Sequence, residues 1–135
     1  MMVLIFCLTT LITKSTPNIL KTGHIVSTTL YHPTKKQCSG NPLITADGSK
    51  INLKKLRQGE LRWIAISRDL LKHYDFGDTV VVVSDDTRFS GKWVIHDTMN
   101  SRFKRKIDFL MHPSSSKSSP KKVTIFPANF IENPS

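Results

Sequence analysis

The sequence predicts a mainly β protein, a single barrel of six or so short strands with one or two small helices. Short runs rich in β-branched, aromatic and other apolar residues recur along the chain: TGHIVSTTLYH, WIAIS, TVVVV, KWVIHD, IDFLM and KVTIFPA. Turn-forming clusters separate them, which is the pattern of a closed all-β domain. At 135 residues and 39% hydrophobic, the chain can bury one modest core and has no room for a second domain.

The elements follow in order. Met1 to Ile12 is almost unbroken apolar, interrupted by Thr9 and Thr10. That length suits the hydrophobic region of a signal peptide and is short for a bilayer span. Thr13 and Ser15 are small enough to flank a cleavage point. The expectation is export to the periplasm or cell envelope, with residues 1–16 as a signal-like segment and residues 22–130 as the barrel domain. Membrane association through the amino terminus, or a buried first strand, are the alternatives. Cys7 lies in this segment and would leave Cys38 alone, so neither an intrachain disulfide nor a CxxC metal spacing is available.

Thr22 to His32 is rich in β-branched residues and ends at Pro33, so it reads as a strand. Residues 33–62 hold turn chemistry: Pro42, the loop Thr45-Ala46-Asp47-Gly48-Ser49 and a lysine-rich stretch. Residues 63–67 form a short apolar strand. Ser67 is placed to cap a short helix over RDLLKHY, which Gly77 would end. TVVVV, 79–83, has the continuous apolar character of a strand buried on both faces. DDTRFSG reads as a turn, KWVIHD as a strand, NSRFKRK as a turn or short helix and IDFLM as a strand. PSSSKSSPK, 113–121, is a mobile loop by composition, and KVTIFPA is the last strand.

The formal charge is +10, unevenly spread. Five of the ten acids fall between positions 69 and 86, while Lys54, Lys55, Arg57 and Arg62 precede them and Arg102, Lys104, Arg105 and Lys106 follow. Such a surface favours anionic polymers or membranes, with plain solubility as the alternative. Asp97 and Asp108 stand at the edges of two strand-like stretches joined by that second basic run. Neighbouring strands can bring two such carboxylates together, and acid–base chemistry on a sugar polymer needs at least one. The five histidines show no HxxxH or HExxH spacing. On a regular strand His96 points away from Asp97, so no metal site is expected there. No glycine-rich phosphate loop and no GxSxG turn occur, and no cofactor is expected.

The order of these pieces resembles a family. Ile64-Ala65-Ile66, then Asp69-Leu70-Leu71, Gly77, Val80 to Val83, Asp97-Thr98 and Ile107-Asp108-Phe109 are similar to the signature of the three-aspartate (3D) domain. That domain belongs to the double-psi β-barrel superfamily, which also includes rare lipoprotein A, membrane-bound lytic transglycosylase A and the expansins. Thr45-Ala46-Asp47-Gly48 is similar to the TAxG loop bordering the cleft in these barrels, and Tyr31 resembles the tyrosine of their first strand. The likeness spans about residues 24–126 and implies a six-stranded double-psi β-barrel. It departs at one place. The family's first aspartate commonly follows the IAV strand, where Ser67 stands here, and Asp69 reads better as a first-turn residue of the helix.

The resemblance implies lytic transglycosylation of peptidoglycan, or of another anionic polysaccharide, by one carboxylic acid. Asp108 would be the acid–base, and Asp97 would tune its protonation and hold a sugar hydroxyl. Thr45, Asp47, Tyr31 and Arg102 are the expected substrate contacts, although Thr45 and Asp47 also suit a plain tight turn. Tyr31 and Trp93 suit either sugar stacking or the core. Two other functions stay open. One is a non-catalytic polysaccharide-binding module, as in expansin-like barrels. The other is nucleic-acid binding through the basic surface, with Phe103 as a stacking residue, although export argues against it and no nucleic-acid partner is expected.

Overall fold

A computed structural model describes residues 23–35, 40–115 and 117–130. The apolar segment from Met1 to Ile12, and with it the export reading, lies outside the described residues, as do Cys7 and Cys38. Six strands close into a barrel: β1 (His24–Tyr31), β2 (Trp63–Ile66), β3 (Thr79–Val83), β4 (Gly91–Thr98), β5 (Lys106–Leu110) and β6 (Lys122–Pro127). Around the ring they run β1-β5-β2-β4-β3-β6, and β6 pairs back onto β1. The pairs β1/β5 and β2/β4 are parallel, while the other four pairings are antiparallel. The chain is therefore the mainly β, six-stranded barrel that its pattern predicted.

Alternation along each strand builds the interior. Val26, Ile64, Ile66, Val80, Val82, Trp93, Ile95, Ile107, Phe109, Val123 and Ile125 form one buried cluster. Phe89 from the turn after β3 and Leu70 and Tyr74 from the segment after β2 join it. The Phe89, Trp93 and Phe109 rings meet at 4.7 Å between centroids, for both Phe89–Phe109 and Trp93–Phe109. The Trp93 indole N–H donates to the Phe89 carbonyl at 2.8 Å, which satisfies the core's one indole donor. Val80, Val81 and Val82 are buried, as expected of a strand covered on both faces, while Val83 at the end of the run is exposed.

Three local readings are corrected. The lysine-rich stretch contains a helix, α1 (Leu53–Arg57), capped by Asn52, whose side chain accepts the Lys55 N–H at 3.0 Å. Leu56 points inward from α1, leaving Lys54, Lys55 and Arg57 in solvent. The helix after β2 is a short 3₁₀ turn, Arg68–Lys72, and it ends well before Gly77. Ser67 does not cap it: its hydroxyl accepts the Lys106 N–H at 3.0 Å, while its own N–H donates to the Lys106 carbonyl at 2.9 Å. Ser67 thus extends the β2/β5 pairing by one residue.

A second apolar cluster lies on the outside of the barrel. Tyr31, Ala65 and Leu110 face outward from β1, β2 and β5, and Ile51, Leu56 and Met99 cover them. The segment around α1 is thereby fixed against this wall, and the cleft opens beside it.

Candidate functional site

One row of cross-strand partners defines the site. Thr29 on β1 pairs with Asp108 on β5, Asp108 with Ala65 on β2, and Ala65 with Asp97 on β4. At the usual strand spacing of ~4.8 Å the row is about 14 Å long and runs across the strands. Asp97 and Asp108 flank Ala65, whose methyl group leaves the space between them open. A cavity of about 790 Å³ occupies that space, lined among others by Tyr31, Thr45, Ala65, Arg68, Arg102 and both aspartates.

A β-bulge delivers Asp97 to the row. Ile64 pairs with Ile95, yet the next residue, Ala65, pairs with Asp97, so β4 carries His96 as an extra residue. Regular pairing would have set His96 beside Ala65. The expectation that His96 and Asp97 point to opposite faces held for a regular strand; the bulge breaks that alternation, and both side chains bond the 45–49 loop. His96 Nδ1 donates to Asp47 Oδ2 at 2.6 Å, and Asp97 Oδ1 accepts the Ala46 N–H at 3.0 Å. The His96 ring also rests on Trp63 at 4.2 Å between centroids.

Within that loop, Asp47 Oδ1 accepts from the Thr45 hydroxyl at 2.6 Å and from the Ser49 N–H at 3.0 Å. Gly48 adopts φ +84°, a conformation few side chains tolerate, so the turn needs its glycine. Burial alone would raise the Asp47 carboxyl, but the donors Thr45, His96 and Ser49 outweigh it and hold it far below the usual carboxylate range. Asp47 is accordingly the clip that shapes the loop. It is not among the described residues that line the cavity, whereas Thr45 is.

The two cleft acids sit in different surroundings. Burial raises the Asp97 carboxyl, against the Thr98 and Ala46 N–H groups that favour its charged form; Asp47 raises it further and the Tyr31 hydroxyl opposes. Oδ1 of Asp97 takes both of those backbone donors, Thr98 at 2.9 Å and Ala46 at 3.0 Å. Burial raises the Asp108 carboxyl too, opposed first by the Thr29 hydroxyl and Lys106, reinforced by the charge of Asp97 and opposed again by His32. The Thr29 hydroxyl donates to Asp108 Oδ1 at 2.6 Å. Two carboxyls whose pKa is raised by burial, lining one cleft, favour the protonated form more than exposed carboxyls do.

Arg68 and Arg102 give the rim its positive charge. The Arg102 guanidinium also lies 4.7 Å from the centre of the Phe103 ring, and the Lys106 ammonium lies 4.5 Å from it. Phe103 packs against the outer apolar cluster, so its ring is already engaged by protein. Asp69 is outside the cleft. Its Oδ2 accepts the N–H of Arg105, a residue at φ +45°, and so fixes the strained turn that carries Arg102 and Phe103. Trp93 is a core residue, 3% exposed. Among the described residues no group of three or more His, Cys, Asp or Glu side chains is arranged to hold a metal ion.

Of the residues expected from sequence, Asp97, Asp108, Tyr31, Thr45 and Arg102 meet at one cavity, and Asp47 stands behind it. Thr29, Ala65 and Arg68 were missed. Arg68 stands two positions after the apolar strand that ends at Ile66, and its sequence signal is a cation at the start of the segment that leaves the barrel wall. Compared with family models, curated proteins and solved structures, the chain matches none.

Proposed function

We propose that the protein cleaves the glycan strand of peptidoglycan as a lytic transglycosylase, with Asp108 as the single acid–base. The observation that carries this reading is the row Asp108–Ala65–Asp97, which sets two carboxyls of raised pKa on either side of an open cavity. Asp108 gives its proton to the glycosidic oxygen as the C1–O bond breaks. The resulting carboxylate then takes the proton of the muramoyl C6 hydroxyl while O6 bonds to C1. The products are a free hydroxyl on one fragment and a 1,6-anhydro ring on the other, and Asp108 ends as it began. No water is consumed, unlike in hydrolases with paired carboxylates.

Two backbone N–H groups favour the charged form of Asp97, against the burial that raises its carboxyl, and among the described residues no backbone N–H does the same for Asp108. In this reading Asp97 is the acidic partner whose charge helps to keep the Asp108 proton in place, and it faces the sugar through its remaining acceptor capacity. Thr29 orients Asp108. Arg68 and Arg102 attract the carboxylates that the wall polymer carries. Residues at a 3D-type signature, in a barrel with a cleft where that family would use one, support the same reading.

Incubation of the protein with purified sacculi, followed by mass spectrometry of the soluble fraction, tests it. Anhydro-muropeptides are expected, reduced at least ~100-fold by Asp108→Asn. Binding to sacculi without any anhydro product would replace the enzyme by a polysaccharide-binding module.

A further inference from the structure

Asp108 does not lie at the end of the accessible surface. The row of partners continues past it to Thr29, and Thr29 opens onto a second depression on the far side, of about 560 Å³. Its walls are Thr29, Leu30, His32, Pro113, Lys117 and Ser119. The Thr29–Asp108 hydrogen bond is thus a low divide between two hollows, with the larger cavity on the Asp97 side. Residues of the 45–49 loop line the larger cavity, and Pro113, Lys117 and Ser119 line the second.

The chemistry of the second hollow suits a sugar. Leu30 and Pro113 offer apolar surface to the C–H face of a ring, and Lys117 and Ser119 offer hydrogen-bond donors at its edge. His32 is held in the wall by its Nδ1–H, which donates to the Met111 carbonyl at 3.0 Å. Each hollow has cationic side chains, Lys117 on this side and Arg68 with Arg102 on the other.

We propose that the Thr29–Asp108 divide is straddled by an internal stretch of an anionic β-1,4-linked glycan, with the second hollow holding the units beyond the bond presented to Asp108. The inference rests on the glycan reading above and adds to it a second binding site, so that glycan units beyond those in the larger cavity add affinity.

Length-graded oligomers of N-acetylglucosamine, from disaccharide to hexasaccharide, test it by titration into the isotopically labelled protein, read by calorimetry and by amide NMR shifts. The hexasaccharide is expected to bind at least about tenfold tighter than the disaccharide and to shift Leu30 and Ser119 together with Ala46 and Thr98. Lys117→Ala combined with Ser119→Ala is expected to remove that gain and leave disaccharide affinity unchanged. Equal affinity at every length, with shifts confined to Ala46, Thr98 and their neighbours, would overturn the second subsite and leave the glycan reading standing. If no oligomer binds and sacculi are not retained, the glycan reading fails and takes this inference with it.

Discussion

Asp108 and Asp97 carry the same functional group in one cleft, and the difference between them lies in their donors. Asp97 accepts two peptide N–H groups, while Asp108 accepts one hydroxyl, from Thr29. The proposed acid role of Asp108 has a pH dependence that can be measured. Cleavage that needs protonated Asp108 is expected to fall as pH rises through that group's raised pKa. Asp97→Asn removes a negative neighbour, lowers the Asp108 pKa and moves this fall to lower pH. Thr29→Val removes a donor to the carboxylate, raises the pKa and moves the fall to higher pH. Opposite displacements in pH–rate profiles on sacculi are the expected result; shifts of the same sign would remove Asp108 from the acid role. Stability has its own signs. The raised acids Asp97 and Asp108 stabilise the fold most below the ordinary carboxyl pKa, and this is lost as pH rises through their folded values. Asp47, held low, contributes above the ordinary pKa, and its share is lost as pH falls. The two aspartates were legible because each ends or interrupts an apolar strand. Thr29 was not, because its link to Asp108 spans 79 positions and depends on a parallel register that no local pattern encodes.

At the scale of elements, β2 decides whether the cleft is open. Ala65 stands between the two acids, and any longer side chain there would fill the gap. Ala65→Leu is expected to abolish anhydro product formation while the thermal unfolding midpoint stays within a few degrees of the parent. The extra carbon atoms would enter a cavity already present, not a packed interior. A large loss of stability instead would show that Ala65 is packed on all sides. The β4 bulge could not be read in advance. KWVIHD carries no break at His96 that would announce an extra residue, and the slip goes with the pairing to β2 and with the 45–49 loop, which takes His96 and Asp97 together. The α1 helix had a legible signal that its lysines obscured: Asn52 at the cap, with Leu53 and Leu56 one turn apart. Six strand positions were legible because alternation and β-branched content agree with the final burial.

For the whole molecule, Arg62 links the start of β2 to the β3–β4 turn. Its guanidinium donates to the Lys92 carbonyl at 3.0 Å, to Ser90 at 2.8 Å and to Arg88 at 3.4 Å, and lies 4.1 Å from the centre of the Trp93 ring. Arg62→Ala is expected to cost about 2 kcal/mol in urea denaturation. Arg62→Lys should recover little, since an ammonium cannot fork to several carbonyls. An unchanged midpoint for both variants would reduce this arginine to surface decoration. The ring order has a further effect, on time. The strand bearing Thr29 comes first in the barrel, but its neighbours β5 and β6 come last, so the ring closes only through distant contacts. Such topologies fold slowly. A chain with β2, β3 and β4 already assembled still lacks Asp108 and its threonine; the hydrogen-bonded pair comes into being only as the ring shuts, so the proposed acid has no orienting partner until folding is complete.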